Sequence, residues 1–212
     1  MPRPRSLTAE QIATAALAVL DRDGLAALSM RTVAQELGMG TMSLYRYVSD
    51  RRQLEELVVD LVLRAIDLTA PRGSAGKRLS VLSDRVRVAV SHHPAVVPLL
   101  LIHRHRVPSS TRWGETMLTI LTDAGITGRQ RAIAFRAIMG YVFGALQVEH
   151  FGALSGPGTV ALAELPPEEF PILSETAAQA RSIPPEEEFR QGFEILLRGL
   201  GLQSGPSRPP DG

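Results

Sequence analysis

The stretch that decides the fold is Ser29-Met-Arg-Thr-Val-Ala-Gln-Glu-Leu-Gly-Met-Gly-Thr-Met-Ser-Leu-Tyr-Arg-Tyr-Val48. It contains two short amphipathic segments separated by Gly38-Met39-Gly40, where a glycine can take the positive φ of a tight turn at little cost. Two helices that cross closely need a small residue at the crossing and an apolar residue that fixes the angle, and Ala34 and Leu44 supply them. The spacing therefore predicts a helix-turn-helix, whose second helix enters the major groove of DNA.

Polar residues that begin helices flank this stretch. Thr8 precedes an apolar stripe, and Gln11 follows it at the spacing of a capping box. Ser29 is predicted to cap the second helix, and Thr41 is predicted to cap a third that runs through Val48. Three short helices are therefore predicted before residue 50.

A fourth helix follows, which we expect to connect this region to the rest of the chain. Ser49 or Asp50 caps it, and it runs from about Arg51 to Leu68. Its inner side is predicted from apolar spacing to consist of Leu54, Leu57, Val58, Leu61 and Ala65.

The remaining sequence has the apolar spacing of helices broken by Gly, Pro and Ser, without the alternation typical of strands. An all-α fold is therefore predicted. Residues 153–167 are rich in Gly, Pro and small residues and are expected to form a mobile loop, and residues 203–212 a disordered tail. Further helices are expected at about Arg78 to His92, Pro94 to Ile102, Ser110 to Ala124, Gly128 to Phe151, Pro167 to Ala180 and Pro185 to Leu200.

Composition limits the classes of function. The 212 residues are 44% hydrophobic and carry a formal net charge of +1, so the chain can bury a core but lacks the charge of a nucleic-acid-coating protein. Cysteine is absent, which excludes disulfides, thiolate zinc sites and cysteine nucleophiles. Apolar runs are far shorter than the roughly 20 residues that span a bilayer, so we expect a cytoplasmic protein without membrane contact.

Motifs of catalysis and metal binding are missing from the sequence. It has no glycine-rich phosphate loop, no nucleophile elbow and no His/Glu metal pair at helical spacing. His103 and His105 fall on different helix faces with no carboxylate at ligand spacing nearby. We therefore predict no enzyme, no cofactor and no metal site.

The helix-turn-helix predicts which side chains contact DNA. Thr41, Met42 and Ser43 should lie nearest the base edges, where hydroxyls can pair with several bases and a methionine can touch a thymine methyl. Arg31 can bind guanine or phosphate, and the remaining side chains should meet the sugar-phosphate backbone. The complete predicted set is Arg31, Thr32, Thr41, Met42, Ser43, Tyr45, Tyr47 and Arg51.

Two runs also resemble a known family: Met30-Arg-Thr-Val-Ala-Gln-Glu-Leu-Gly38 and Leu44-Tyr-Arg-Tyr-Val-Ser-Asp-Arg51. Together with the pattern from Thr8 to Leu61, they look like the DNA-binding domain of the TetR (tetracycline repressor) family. A looser similarity to the ligand-binding, dimerising domain of its tetracycline-repressor branch continues through Trp113-Gly-Glu115, Leu118 to Gly125, Gly140-Tyr-Val-Phe-Gly-Ala-Leu-Gln147 and Phe189-Arg-Gln-Gly-Phe-Glu-Ile-Leu-Leu-Arg-Gly199.

The resemblance implies a homodimeric repressor that binds palindromic operator DNA and releases it when a small molecule occupies the C-terminal region. It implies a DNA-binding domain at 1–52 with the helix at 51–69 as connector, a ligand-binding and dimerisation domain at 70–202, and the tail at 203–212. One departure concerns the magnesium site of the tetracycline-repressor branch. Leu99 stands where that branch has a histidine ligand, so we expect a mostly apolar effector rather than tetracycline with magnesium.

Residues on neighbouring predicted helices are candidates for contact with this effector, with plain hydrophobic core as the competing interpretation. Gln147 is the most pointed choice, because an amide on an otherwise apolar helix face needs a partner. The candidate set is His103, Trp113, Met117, Met139, Phe143 and Gln147. The apolar faces of 133–146 and 189–200 are assigned to the dimer, with monomer core as the alternative.

The residues leave other functions open. The chain could activate transcription, or it could be an effector-binding module in which release of DNA is not the main output.

Overall fold

The computed structural model describes residues 7–152, 154 and 156–202, so the predicted tail at 203–212 lies outside the described residues. Within them the chain is helical and contains no strand, which confirms the predicted all-α fold. The helices are α1 Ala9–Asp23, α2 Met30–Glu36, α3 Thr41–Leu44, α4 Arg51–Arg64, α5 Ala75–Ser91, α6 Val97–His103, α7 Pro108–Asp123, α8 Gly128–Phe151, α9 Pro157–Ala163, α10 Pro171–Ala180 and α11 Pro185–Gly199. Single 3₁₀ turns at Leu25–Ala27 and Pro94–Val96 precede α2 and α6.

Side-chain caps fix the beginnings of the first helices. The Gln11 backbone N–H donates to Thr8 Oγ1 (3.2 Å), and the Gln11 side-chain Oε1 accepts from the Thr8 backbone N–H (2.9 Å). Ser29 caps α2, and Asp50 caps α4 by accepting from the Gln53 N–H at 2.8 Å. The caps predicted at Thr8, Ser29 and Asp50 are therefore confirmed. Each bond joins residues only three positions apart, so a short window of sequence is enough to predict it.

The prediction for the third helix is wrong in two respects. Gly40 occupies the N-cap position of α3, and no side chain caps it, so Thr41 is the first helical residue rather than the cap. The helix also ends at Leu44 instead of Val48. Beyond Leu44 the chain continues as turns, in which the Tyr47 N–H donates to the carbonyl only three residues back (2.9 Å).

The loop expected at 153–167 contains a helix, α9, and that prediction is also wrong for Pro157–Ala163. Proline lies in its first turn, where the missing N–H is not needed and the fixed φ suits a helix. The packing partner of α9 is α10. A seven-residue helix is too short to be stable alone, so tertiary contact decides its existence.

The described helices form two compact units. Within the described residues, one contains residues 7–68 and 85–116, and the other contains residues 69–84 and, apart from 153 and 155, residues 117–202. The boundary therefore differs from a simple division near residue 70, because α6 packs against α4 within the first unit. The functional division into DNA-binding and effector domains is a separate matter and stays a prediction.

The buried face of α4 is broader than the predicted one. Helix α4 packs against both α1 and α6, so it buries residues on two sides. The buried residues are Leu54, Val58, Val59, Val62 and Leu63. Of the predicted inner positions, Leu57 and Leu61 are only half-buried and Ala65 is exposed.

In the second unit a tyrosine joins α8 to α11. The Tyr141 hydroxyl donates to the Phe189 carbonyl at 2.8 Å, and its ring centroid lies 5.6 Å from that of Phe193. Burial, with a smaller contribution from the Glu188 carboxylate, raises the pKa of Tyr141, so the hydroxyl keeps its donor proton. Gly192 permits the approach, since a Cβ there would lie 2.3 Å from the Tyr141 oxygen.

Helix α8 is long and apolar enough to cross a membrane by length and composition, which the short apolar runs did not suggest. Of its most apolar 18 residues, 22% are buried within the chain. The same helix packs against α11. Its apolar face is therefore only partly used by its own chain.

Replacing Gly192 by alanine should destabilise the protein although alanine is the better helix former. The new methyl group forces Tyr141 away from the Phe189 carbonyl, and overpacking of this kind costs about 1–3 kcal/mol. Thermal and urea unfolding measure the effect. Gly158→Ala on α9 is the matched control, because its Cβ would meet no atom within 4 Å. If Gly192→Ala were as stable as the control, or if Tyr141→Phe did not restore part of the loss, the steric explanation would be wrong.

Candidate DNA-reading surface and effector region

The crossing of α2 and α3 has the geometry expected of a helix-turn-helix. Ala34 and Leu44 are both fully buried, and Gly38 has a φ of 67° in the turn between them. The Met39 N–H closes the turn by donating to the Ala34 carbonyl at 2.9 Å. The small residue, the glycine and the apolar anchor thus perform the roles that the spacing predicted. We refer to α1, α2 and α3 as the reading head.

Around the short helix α3, three large side chains stand in solvent. Met42 is 79% exposed, Tyr45 47% and Tyr47 41%. Thr41 and Ser43 beside them are half-buried. A cluster of exposed methionine and tyrosine on a short helix and the turn after it, between the buried Leu44 and Val48, is typical of a surface that contacts another molecule.

The predicted DNA-binding residues on α2 differ in what they do. Arg31 is exposed in the first turn of α2 and makes no hydrogen bond or ion pair to the described part of the chain. Thr32 instead completes the cap of its own helix, because its hydroxyl donates to the Ala27 carbonyl (2.7 Å) and accepts from the Ser29 N–H (3.0 Å). Arg31 is therefore available to a partner, whereas the Thr32 hydroxyl is engaged.

Arg51 binds groups of its own chain. Its Nε donates to Glu55 Oε1 at 2.8 Å, and its Nη2 donates to the Leu25 carbonyl at 3.2 Å. The side chain is still 48% exposed. Its predicted phosphate contact stays a prediction, and these two bonds would compete with it.

His103, a predicted effector contact, lies on α6 in the first unit with its side chain only 6% exposed. Its Nε2 lies 2.8 Å from Glu55 Oε2 on α4. Glu55 is not among the residues predicted from the sequence. The four-residue spacing of Arg51 and Glu55 indicates a helical ion pair, but nothing in the sequence signals a partner 48 positions away.

The other effector candidates are distributed over two helices. Trp113 and Met117 are buried on α7, with Trp113 in the first unit and Met117 in the second. Met139 and Phe143 on α8 are half-buried, and Gln147 is exposed. Gln147 is exposed in the single chain and needs no partner there, so its contact with an effector stays a prediction.

A groove of about 360 Å³ lies between α8 and α11 in the second unit, and none of the six effector candidates lines it. Two glycines, Gly140 and Gly144, lie four residues apart along its floor on α8, and a Cβ at either would meet no atom within 4 Å. The other lining residues are mostly apolar: Tyr141, Ala145, Val148, Glu149, Leu154, Pro185, Glu188 and Phe189. The four-residue spacing of these two glycines is present in the sequence, but neither glycine is among the predicted site residues.

The described residues contain no candidate metal site. Among residues 7–152, 154 and 156–202, no group of three His, Cys, Asp or Glu side chains is placed to hold an ion.

Comparison with known sequences connects both regions to one family. Residues 12–57 match the bacterial regulatory proteins of the tetR family, and residues 69–203 match the tetracyclin repressor-like C-terminal domain. The transcriptional repressor DrrR1 of Streptomyces coeruleorubidus is 38% identical over 149 residues, which are 68% of this chain and 54% of that protein. The chain thus spans about half the length of that relative. The class D tetracycline repressor protein of Escherichia coli is 28% identical over 93% of this chain and 90% of its own length.

A solved structure has the same architecture. The TetR family protein ActR of Streptomyces coelicolor, in complex with (S)-DNPA, superposes with a TM-score of 0.80 and 28% identity. The match covers 92% of this chain and 96% of ActR. With both the helix-turn-helix and the C-terminal region matched, the chain belongs to the TetR family of bacterial regulatory proteins.

Proposed function

We propose that this protein is a homodimeric transcriptional repressor that binds operator DNA through α2 and α3 and releases it when an apolar small molecule binds. The observation that carries the proposal is the outward display of Met42 on α3, whose only buried residue is Leu44, and of Tyr45 and Tyr47 in the turn that follows. No feature of the described structure requires a catalytic activity to explain it. As a DNA-binding regulator the protein acts in the cytoplasm.

Base edges and phosphates are contacted by different residues in this proposal. Thr41, Met42 and Ser43 face the bases, where each gives modest discrimination. Arg31 supplies the most selective contact, because a guanidinium can bind guanine with two hydrogen bonds. Tyr45 and Tyr47 flank α3 and reach the sugar-phosphate backbone, which fixes the register of the protein on the duplex.

Dimerisation through α8 and α11 supplies the second reading head. Both helices have large apolar residues in solvent, with Ile133 on α8 56% exposed and Ile195 on α11 62% exposed. Gly140 and Gly144 open a path for the backbone of another helix. A second copy is the occupant that uses both faces at once, since a two-fold interface presents the same patch from each protomer.

The effector is proposed to be mostly apolar. Leu99 is buried, with 1% of its surface exposed, and a leucine cannot ligate magnesium. Pockets between helices in bundles are lined mainly by apolar side chains with a few polar groups. The related ActR binds (S)-DNPA, which supports a small organic effector here. Met117, Met139 and Phe143 of the second unit remain the proposed contacts, the roles of His103 and Trp113 stay predictions, and Gln147 is the weakest of the original candidates.

Operator binding is tested by mobility shift with the DNA upstream of the gene for this protein and with fragments selected from a random pool. We expect a specific complex at moderate salt that competitor DNA of unrelated sequence does not displace. No specific complex with either source of DNA would overturn the proposal.

Arg31→Ala and Tyr47→Ala should each weaken operator binding while leaving the dimer intact. Removing a base or backbone contact costs about 1–3 kcal/mol, which is roughly a 5- to 150-fold loss of affinity. Fluorescence anisotropy measures affinity, and light scattering measures oligomeric state. Arg181→Ala, an exposed arginine after α10, is the charge-matched control. Operator affinity equal to that of the control would remove these two residues from the reading surface.

Gly144→Leu should dissociate the dimer without unfolding the chain. A Cβ at this position would meet no atom of its own chain within 4 Å, so the backbone has room for the substitution, and the larger side chain would block a partner helix that approaches α8 closely. Light scattering should give the monomer mass, and operator affinity should fall because a single head contacts half a site. Gly158→Leu on α9 is the matched control, since its Cβ position is equally open. A dimer that survives Gly144→Leu would place the interface elsewhere.

A further inference from the structure

We propose that His103, Glu55 and Arg51 form a positioning relay, which ties α6 to the chain entering the reading head and thereby sets operator affinity. The proposal rests on the proposed function, because it concerns how α2 and α3 are held against DNA. It assigns Arg51 a role within the protein instead of the predicted phosphate contact.

The relay is a continuous series of polar contacts. His103 Nε2 lies 2.8 Å from Glu55 Oε2, and Glu55 Oε1 accepts from Arg51 Nε at 2.8 Å. Arg51 Nη2 then donates to the Leu25 carbonyl at 3.2 Å. One carboxylate, with a separate oxygen for each neighbour, thus links a residue of α6 to the 3₁₀ turn that precedes α2.

The surroundings make this series costly to break. Apart from His103, the buried residues of α6 are the apolar Val97, Leu99 and Leu100. The side chains of His103 and Glu55 are only 6% and 14% exposed. Water therefore has little access, and a buried carboxylate that loses its partner is strongly destabilised.

A second carboxylate lies near the imidazole without bonding to it. Glu56 Oε1 lies 3.9 Å from His103 Nδ1 and 3.9 Å from an Nη of Arg106. This oxygen is buried and accepts no hydrogen bond from the described chain. The ring therefore bonds to the carboxylate of Glu55 and only lies near that of Glu56, so a rotation or shift of α6 would break the Glu55 contact.

The other end of the same segment has a similar tie. His93, just before the 3₁₀ turn, places Nδ1 2.7 Å from Asp21 Oδ2 on α1. Residues 94–103 are therefore fastened at one end to α1 and at the other to α4. Movement of this segment must be passed to those two helices or break a histidine–carboxylate contact.

The relay ends where it can affect DNA binding. Leu25 lies five residues before Met30, the first residue of α2. The intervening Leu28 is fully buried, so the turn and the start of α2 are packed together. The guanidinium of Arg51 thus orients the entry of α2, and with it Arg31 and the crossing helix α3.

A mutant cycle in the full-length protein tests the relay, with a DNA fragment that the wild type selects from a random pool as the probe. His103→Leu should lower operator affinity about tenfold, a typical coupling for residues in one polar network. His103→Gln keeps an N–H donor toward Glu55 and should stay within about threefold of wild type. Adding Glu55→Leu to His103→Leu should cause little further loss, because the series is already broken.

The salt dependence of binding separates the relay from a phosphate contact. Arg51→Gln should weaken binding at every salt concentration without changing the slope of log affinity against log salt. Arg31→Gln is the charge-matched comparison, and loss of a true phosphate contact lowers that slope by about one. A lower slope for Arg51→Gln would show that Arg51 binds phosphate and would overturn its place in the relay.

Thermal unfolding and light scattering confirm that each variant is folded and dimeric before affinity is measured. If His103→Leu does not fold, His103→Gln and the exposed Arg51→Gln still decide the matter. Wild-type affinity for a folded His103→Leu would overturn the relay, and so would equal losses for His103→Gln and His103→Leu. A wild type that selects no DNA would instead overturn the proposed function.

Discussion

The packing of α3 on α2 is the contact on which the DNA-reading surface depends. Helix α3 has four residues, and isolated helices shorter than about 12–15 residues are marginal in water. It therefore persists because Leu44 is completely buried, while Ala34 leaves room at the crossing. The exposed Met42 on α3 takes its direction from that anchor, and Val48, which is also buried, ends the turn that carries Tyr45 and Tyr47. A change that loosened Leu44 would remove the surface without touching any residue that faces DNA.

Helix α4 has to satisfy two neighbours, and this explains both its broad buried face and its polar residues. Its N-terminus is fixed by the Asp50 cap, and it packs on α1 and α6. An apolar face alone would let α6 slide along α4 with little penalty. The contact between Glu55 and His103 specifies one register, since a buried polar pair is satisfied in only one arrangement.

The sequence predicted most reliably what short-range bonds decide. Thr8, Ser29 and Asp50 cap helices through bonds to residues three positions on, so their roles are visible in a window of four residues. The bounds of α8 were predicted at both ends, because glycine residues follow or begin it. The turn at Gly38 was predicted for the same local reason, and its φ is positive.

Features decided by distant partners could not be predicted in this way. The exposed side of α8 depends on where α11 packs, so the exposure of Gln147 could not be predicted from helical spacing. Helix α9 exists through its contact with α10, and the pairing of His103 with Glu55 joins positions 48 apart. Glycine shows the limit most clearly. Gly192 makes room for Tyr141 of its own chain, whereas Gly140 and Gly144 face open space. The sequence contains all three glycines, but only the fold separates a glycine that completes the chain's own packing from two that leave a surface for a partner.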